Sequence, residues 1–132
     1  MSTRWDVLVI DDEPVVREVL KRVLEAEGLR VVGAGTGEAA LAHDALAQCR
    51  LVVCDLMLPG MPGFEVIRAI RARRPDLPVL AITGYATAEI AARVTEAGAT
   101  AFLAKPFDHD ELFEKVRQVL EGTGRSAKEE GS

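Results

Sequence analysis

Residues 52–63 read VVCDLMLPGMPG. Three apolar residues suited to a buried strand run directly into Asp55, and a loop rich in proline and glycine follows at once. An unpaired carboxylate in an apolar setting costs several kcal/mol. A strand that carries Asp55 at its end therefore implies a partner waiting there for the charge. Pro59, Gly60, Pro62 and Gly63 then turn the chain back before a helix beginning at Phe64.

The rest of the chain repeats this strand–loop–helix unit. Short apolar runs at Trp5–Ile10, Leu29–Val32, Leu51–Cys54, Val79–Ile82 and Thr100–Ala104 read as strands. The segments between them carry helical spacing. Val15, Val16, Val19, Leu20, Val23 and Leu24 form one apolar stripe, with Arg17, Glu18, Lys21, Arg22 and Glu25 on the other face. Pro14 suits the first turn of that helix and Gly28 its stop. The last helix repeats the design with Leu112, Phe113, Val116, Val119 and Leu120, and further helices are expected over 37–48, 64–74 and 86–97. Five strands alternating with five helices imply a parallel sheet covered on both faces, joined by right-handed crossovers.

Composition narrows the function. The 132 residues suffice for one domain with a real core and are too few for two. A net charge of −5 argues against a large basic nucleic-acid surface. No apolar run approaches the roughly 18–20 residues of a membrane span, and MSTRWDVLVIDD lacks the features of a signal peptide. A cytoplasmic location is expected. Cys49 and Cys54, read as lying on one strand, would stand roughly 16 Å apart in extended chain, beyond the ~7 Å that a disulfide spans. Both are expected to be free, buried thiols. After Leu120 the chain turns to GTGRSAKEEGS, so the domain is expected over 1–121, with 122–132 a flexible tail or the start of a linker.

In an open parallel sheet, ligands bind outside the carboxyl ends of the strands. Asp11, Asp12 and Glu13 follow the first strand, Asp55 the third, Thr83-Gly84 the fourth and Lys105-Pro106 the fifth. Clustered carboxylates raise one another's pKa unless a cation sits among them. Oxygen ligands with access to water suit Mg²⁺. A carboxylate, a divalent metal, a lysine and a hydroxyl together form a site for phosphoryl transfer, and the carboxylate itself can be the acceptor.

Asp11-Asp12, Asp55 with LMLPGMPG, Thr83-Gly84-Tyr85 and Lys105-Pro106-Phe107 stand in order at the ends of four strands. Over residues 5–121 the chain resembles the receiver domain of two-component response regulators. The resemblance implies a flavodoxin-like, doubly wound, five-stranded parallel sheet of order 2-1-3-4-5. It implies that Asp55 accepts a phosphoryl group from a sensor histidine kinase or a histidine phosphotransfer protein. Asp12, Asp55 and the backbone carbonyl of Met57 would ligate Mg²⁺, with Asp11 acting through water. Thr83 and Lys105 would contact the phosphoryl oxygens, Phe102 would be the aromatic switch that follows Thr83, and the Lys105–Pro106 peptide would be cis. Met57 and Tyr85 occupy positions that tune phosphoryl lifetime in relatives. The switched face, formed by the fourth helix, fifth strand and fifth helix, would meet a downstream protein, an output domain outside these residues, or a second copy in a phosphorylation-linked homodimer.

Other features have plainer readings. VVGAGTGEAAL, residues 31–41, suggests dinucleotide binding but has Glu38 where the third glycine of that motif belongs. It reads as a tight turn with Thr36 or Gly37 at the helix start. His43 and His109 lie far apart in polar helical surroundings, and RARRP (71–75) reads as a solvated helix end matched to the helix dipole. A haloacid-dehalogenase-like phosphatase also uses an aspartyl phosphate, but Met57 stands where it needs a second aspartate. No turnover of an external substrate is expected. A docking module independent of phosphorylation is the remaining alternative.

Overall fold

The computed structural model describes the backbone of residues 4–131 and the side chains of residues 4–122. Five strands, β1 (Val7–Ile10), β2 (Val31–Ala34), β3 (Leu51–Asp55), β4 (Val79–Thr83) and β5 (Ala101–Ala104), form one sheet. Its order is β2-β1-β3-β4-β5 and every pairing is parallel. The helices are α1 (Pro14–Glu25), α2 (Gly37–Leu41), α3 (Gly63–Arg73), α4 (Ala88–Ala97) and α5 (His109–Gly131), with a short 3₁₀ turn at Asp44–Ala47. The expected flavodoxin-like doubly wound fold is the one observed.

Alternation along the strands builds two cores. Leu8, Ile10, Val52, Cys54, Val79 and Ala81 face α2, α3 and α4. Val7, Val9, Leu51, Val53, Leu80 and Ile82 face α1 and α5, whose Leu20, Leu24, Leu112 and Val116 close that side. Both faces of the central strands are therefore apolar, and only their ends are free to carry polar chemistry.

Several boundaries differ from expectation. β1 begins at Val7 because the Asp6 carboxylate takes the Arg30 N–H at 2.8 Å and lies near the guanidinium groups of Arg30 and Arg50. β2 begins at Val31, two residues late. The end of α1 consumes Gly28 and Leu29, whose N–H groups return to Glu25 and Leu24 in the Schellman pattern. The helix expected over 37–48 breaks at His43, whose Nδ1 accepts the Ala45 N–H and caps the 3₁₀ turn. Cys49 precedes β3 and does not lie on it, and both cysteines are free and buried.

The arginines of RARRP do more than face solvent. Arg73 donates to the Leu41 carbonyl and Arg74 to those of Leu46 and Cys49, so carbonyls around the broken helix find donors from α3. Arg71 donates to the Gly98 carbonyl at the end of α4. Thr36 caps α2 through the Ala39 N–H, which is the structural reading of the glycine-rich turn. The backbone of α5 is helical as far as Gly131. That helical backbone runs past the expected domain end at 121, while side chains past Gly122 and all of Ser132 lie outside the described residues.

Candidate functional site

The carboxyl edge of the sheet gathers Asp11, Asp12, Asp55, Thr83 and Lys105. The register explains it: Ile10 lies beside Cys54, Asp55 beside Ile82, and Thr83 beside Ala104. Residues at or just past these positions must therefore emerge side by side. One carboxylate oxygen from each of Asp11, Asp12 and Asp55 lies within 4.8 Å of the others. Asp11 and Asp55 are buried and Asp12 is exposed.

Each buried carboxylate accepts one backbone N–H through its Oδ1. Asp11 Oδ1 accepts the Glu13 N–H at 2.9 Å, and Asp55 Oδ1 accepts the Met57 N–H at 2.9 Å. Their second oxygens turn to the shared space. Lys105 Nζ donates to Asp55 Oδ2 at 3.0 Å and stands 3.9 Å from Asp11 Oδ2, beyond hydrogen-bond range. Asp11 Oδ2 is thus a buried oxygen without a hydrogen-bond partner. Burial, with the neighbouring Asp55 adding to it, raises the Asp11 carboxyl to about 6, against the Glu13 N–H and the Lys105 charge. Burial pulls Lys105 down, but its hydrogen bond to Asp55 and the charges of Asp55, Asp11 and Glu13 outweigh that and raise its pKa.

An orphaned buried carboxylate oxygen, two further carboxylates and one ammonium leave the cluster with an excess of negative charge. The donor set is all oxygen, which suits a hard divalent cation. The residues present therefore fit Mg²⁺.

The remaining expected residues surround this cluster. Thr83 is buried, and its Oγ1 accepts the Tyr85 N–H at 2.9 Å. Met57 and Tyr85 are both exposed large residues, on the loops after β3 and β4. Phe102 is half-buried on β5 and packs against the core shared with α3 and α4. The Lys105–Pro106 peptide is cis. His43 serves the 3₁₀ turn and His109 opens α5, so neither joins the cluster.

Sequence reasoning missed Arg17, which was placed on the outer face of α1. Its side chain turns back, and Nη1 donates to the Asp11 carbonyl at 2.6 Å. The available signal was the pair Gly33 and Gly35, over which the arginine lies.

Comparison with known proteins agrees with this geometry. The model of the response regulator receiver domain matches residues 7–117. The probable transcriptional regulatory protein TcrX of Mycobacterium tuberculosis is 36% identical over 126 residues, 96% of this chain and 54% of TcrX. The C4-dicarboxylate transport transcriptional regulatory protein DctD of Pseudomonas aeruginosa is 40% identical over 91% of this chain and 26% of its own length. The chain thus spans about half or less of these relatives. The crystal structure of the receiver domain of NtrX from Brucella abortus superposes with a TM-score of 0.82 at 34% identity, covering 88% of this chain and 98% of that domain. By fold, site and sequence, the chain belongs to the receiver domains of two-component response regulators, whose family function is to be phosphorylated by a histidine kinase.

Proposed function

We propose that Asp55 is the phosphoacceptor of this receiver, and that residues 1–121 form the signalling unit, with 122–132 a flexible tail or the start of a linker. The observation that carries the reading is Asp55 itself. It is a buried carboxylate at a strand end, with one oxygen fixed by the Met57 N–H and the other on Lys105. In the transfer, an Asp55 oxygen forms a bond to phosphorus as the phosphorus–nitrogen bond of a phosphohistidine donor breaks, and the imidazole leaves with a proton. The donor is a sensor histidine kinase or a histidine phosphotransfer protein.

Asp12, Asp55 and the Met57 carbonyl would hold Mg²⁺, with Asp11 acting through water. The ion supplies positive charge against the phosphoryl oxygens. Lys105 neutralises the same oxygens from the protein side, and the Thr83 hydroxyl, whose oxygen accepts the Tyr85 N–H, keeps its O–H to donate to them. Movement of Thr83, followed by Phe102, shifts the population of the face formed by α4, β5 and α5. That face then engages a downstream protein, an output domain or a second copy of the chain. The site promotes its own phosphorylation and dephosphorylation and turns over no external substrate. Among the described residues no helix is long and apolar enough to cross a membrane, and we place the protein in the cytoplasm with its kinase's catalytic domain.

Incubation with acetyl phosphate and Mg²⁺, followed by intact mass measurement, tests the assignment. One phosphoryl group is expected on the wild type and none on Asp55→Asn. Modification that survives the substitution would overturn it.

A further inference from the structure

We propose that Arg17 is a positioning residue of the acidic site, holding the peptide that carries Asp11 and Asp12 through the Asp11 carbonyl. This rests on the reading of Asp11, Asp12 and Asp55 as a Mg²⁺ site.

Asp11 lies just past β1, where the ladder ends. Its N–H still reaches the Ala34 carbonyl at 3.1 Å, and its own carbonyl accepts from Arg17 Nη1 at 2.6 Å. That carbonyl belongs to the same rigid amide plane as the Asp12 N–H. Fixing it fixes the direction in which the chain leaves for Asp12. The Asp12 carboxylate is exposed and, among the described residues, makes no hydrogen bond or ion pair. With no such bond to hold it, its place is inherited from the backbone, which Asp11 Oδ1 holds on one side through the Glu13 N–H and Arg17 on the other through the Asp11 carbonyl.

The grip has a floor. A Cβ at Gly33 would stand 3.1 Å from Arg17 Cδ, and a Cβ at Gly35 would stand 3.1 Å from Arg17 Nη1. Both distances are tight, so a side chain at either position would push the arginine. The glycines that imitate a dinucleotide motif instead leave the arginine room to lie across β2 toward β1. A lysine cannot reproduce this, because it lacks the planar guanidinium that lies flat and donates in a fixed direction.

Mg²⁺ titration by calorimetry of the full chain tests this, on wild type, Arg17→Ala, Arg17→Lys and Gly35→Ala. Loss of a residue that orients metal ligands weakens binding by about 10–100-fold. Because Arg17 acts on the backbone, about tenfold is expected for Arg17→Ala, with Arg17→Lys close to it and Gly35→Ala smaller but in the same direction. Acetyl phosphate uptake should show the same rise in half-saturating Mg²⁺, with the rate at saturation within about twofold of wild type. A merely structural role would not separate those two quantities. Wild-type Mg²⁺ affinity in the Arg17 variants overturns the proposal, as does a rate that saturating Mg²⁺ fails to restore. If Arg17→Ala does not fold, Gly35→Ala and Arg17→Lys decide. A wild-type chain that binds no Mg²⁺ overturns the site reading as well, whereas wild-type binding with unaltered variants overturns this inference alone.

Discussion

Lys105 Nζ donates to Asp55 Oδ2 at 3.0 Å, although fifty residues separate the two in the chain. They belong to β3 and the end of β5, which are not neighbours, since β4 runs between them. Adjacent strands lie about 4.8 Å apart, so the lysine must cross roughly twice that. Its four-carbon stem is long enough, and the intervening strand ends in Thr83, a small side chain. The ion pair therefore depends on strand order and on the size of the residue between.

Asp11 has a raised pKa and an oxygen without a partner, so the metal-free site is held at a cost. Asp11→Asn should stabilise the metal-free protein by about 1–2 kcal/mol while weakening Mg²⁺ binding. Lys105→Gln removes the ammonium that meets Asp55 and should destabilise by about 1–3 kcal/mol. The two substitutions share partners, so their double variant should depart from additivity in urea unfolding. Additive effects would mean that Asp11 and Lys105 do not interact.

The pH dependence follows from the same carboxyl. Asp11 is raised in the folded state, so its contribution to stability is fully present below the ordinary value of 3.8 and is lost as pH rises through about 6. Metal-free protein should therefore lose stability across that window. Binding of Mg²⁺ favours the ionised form, so affinity should fall by about tenfold per pH unit below 6. Thermal melts with and without Mg²⁺ at several pH values would check both, and Asp11→Asn should flatten both profiles.

Two glycines beside the site should differ sharply in their response to alanine. A Cβ on Gly63 would stand 2.5 Å from Leu56 Cα and 2.6 Å from the Asp55 carbonyl oxygen, with backbone on both sides. Gly63→Ala should cost about 3 kcal/mol or more, because α3 must be pushed off the end of β3. Gly84 has nothing within 4 Å of the same position, and Gly84→Ala should change stability by no more than about 0.5 kcal/mol. Urea midpoints of the two variants give the comparison.

Met57 and Tyr85 are exposed beside the proposed phosphoacceptor, one apolar and one bulky. We propose that both hinder a water approaching the aspartyl phosphate. Met57→Asn with Tyr85→Ala should shorten its lifetime by about tenfold, equivalent to roughly 1.4 kcal/mol in the hydrolysis barrier. A decay rate equal to wild type would show that these side chains do not shield the site.

The parts of the site legible in the sequence were those forced to strand ends. Asp55, Thr83 and Lys105 each follow a run of apolar residues, and a doubly wound sheet leaves such residues one place to go. Boundaries were harder where local hydrogen bonds intervened. Gly28 and Leu29 finish α1 and so delay β2, and His43 divides one expected helix by capping a turn with its ring. Arg17 escaped for a different reason. Helical periodicity assigns a residue to a face, but a long side chain can leave that face for a backbone carbonyl six residues back.

The hold of Arg71 on Gly98 has a mechanical meaning. The left-handed Gly98, at φ 119°, closes α4, and its carbonyl takes two donors from the same guanidinium. Midway along α4, Arg93 rests on the Phe64 ring, 4.4 Å from its centre. The other end begins at Thr87, after an exposed segment that starts from Thr83. α4 is thus held by arginine contacts at its C-terminal end and midway along it, while the end nearest the acidic cluster follows the exposed loop after Thr83. The proposed movement of Thr83 on phosphorylation would reach α4 at the end away from the Arg71 contacts to Gly98.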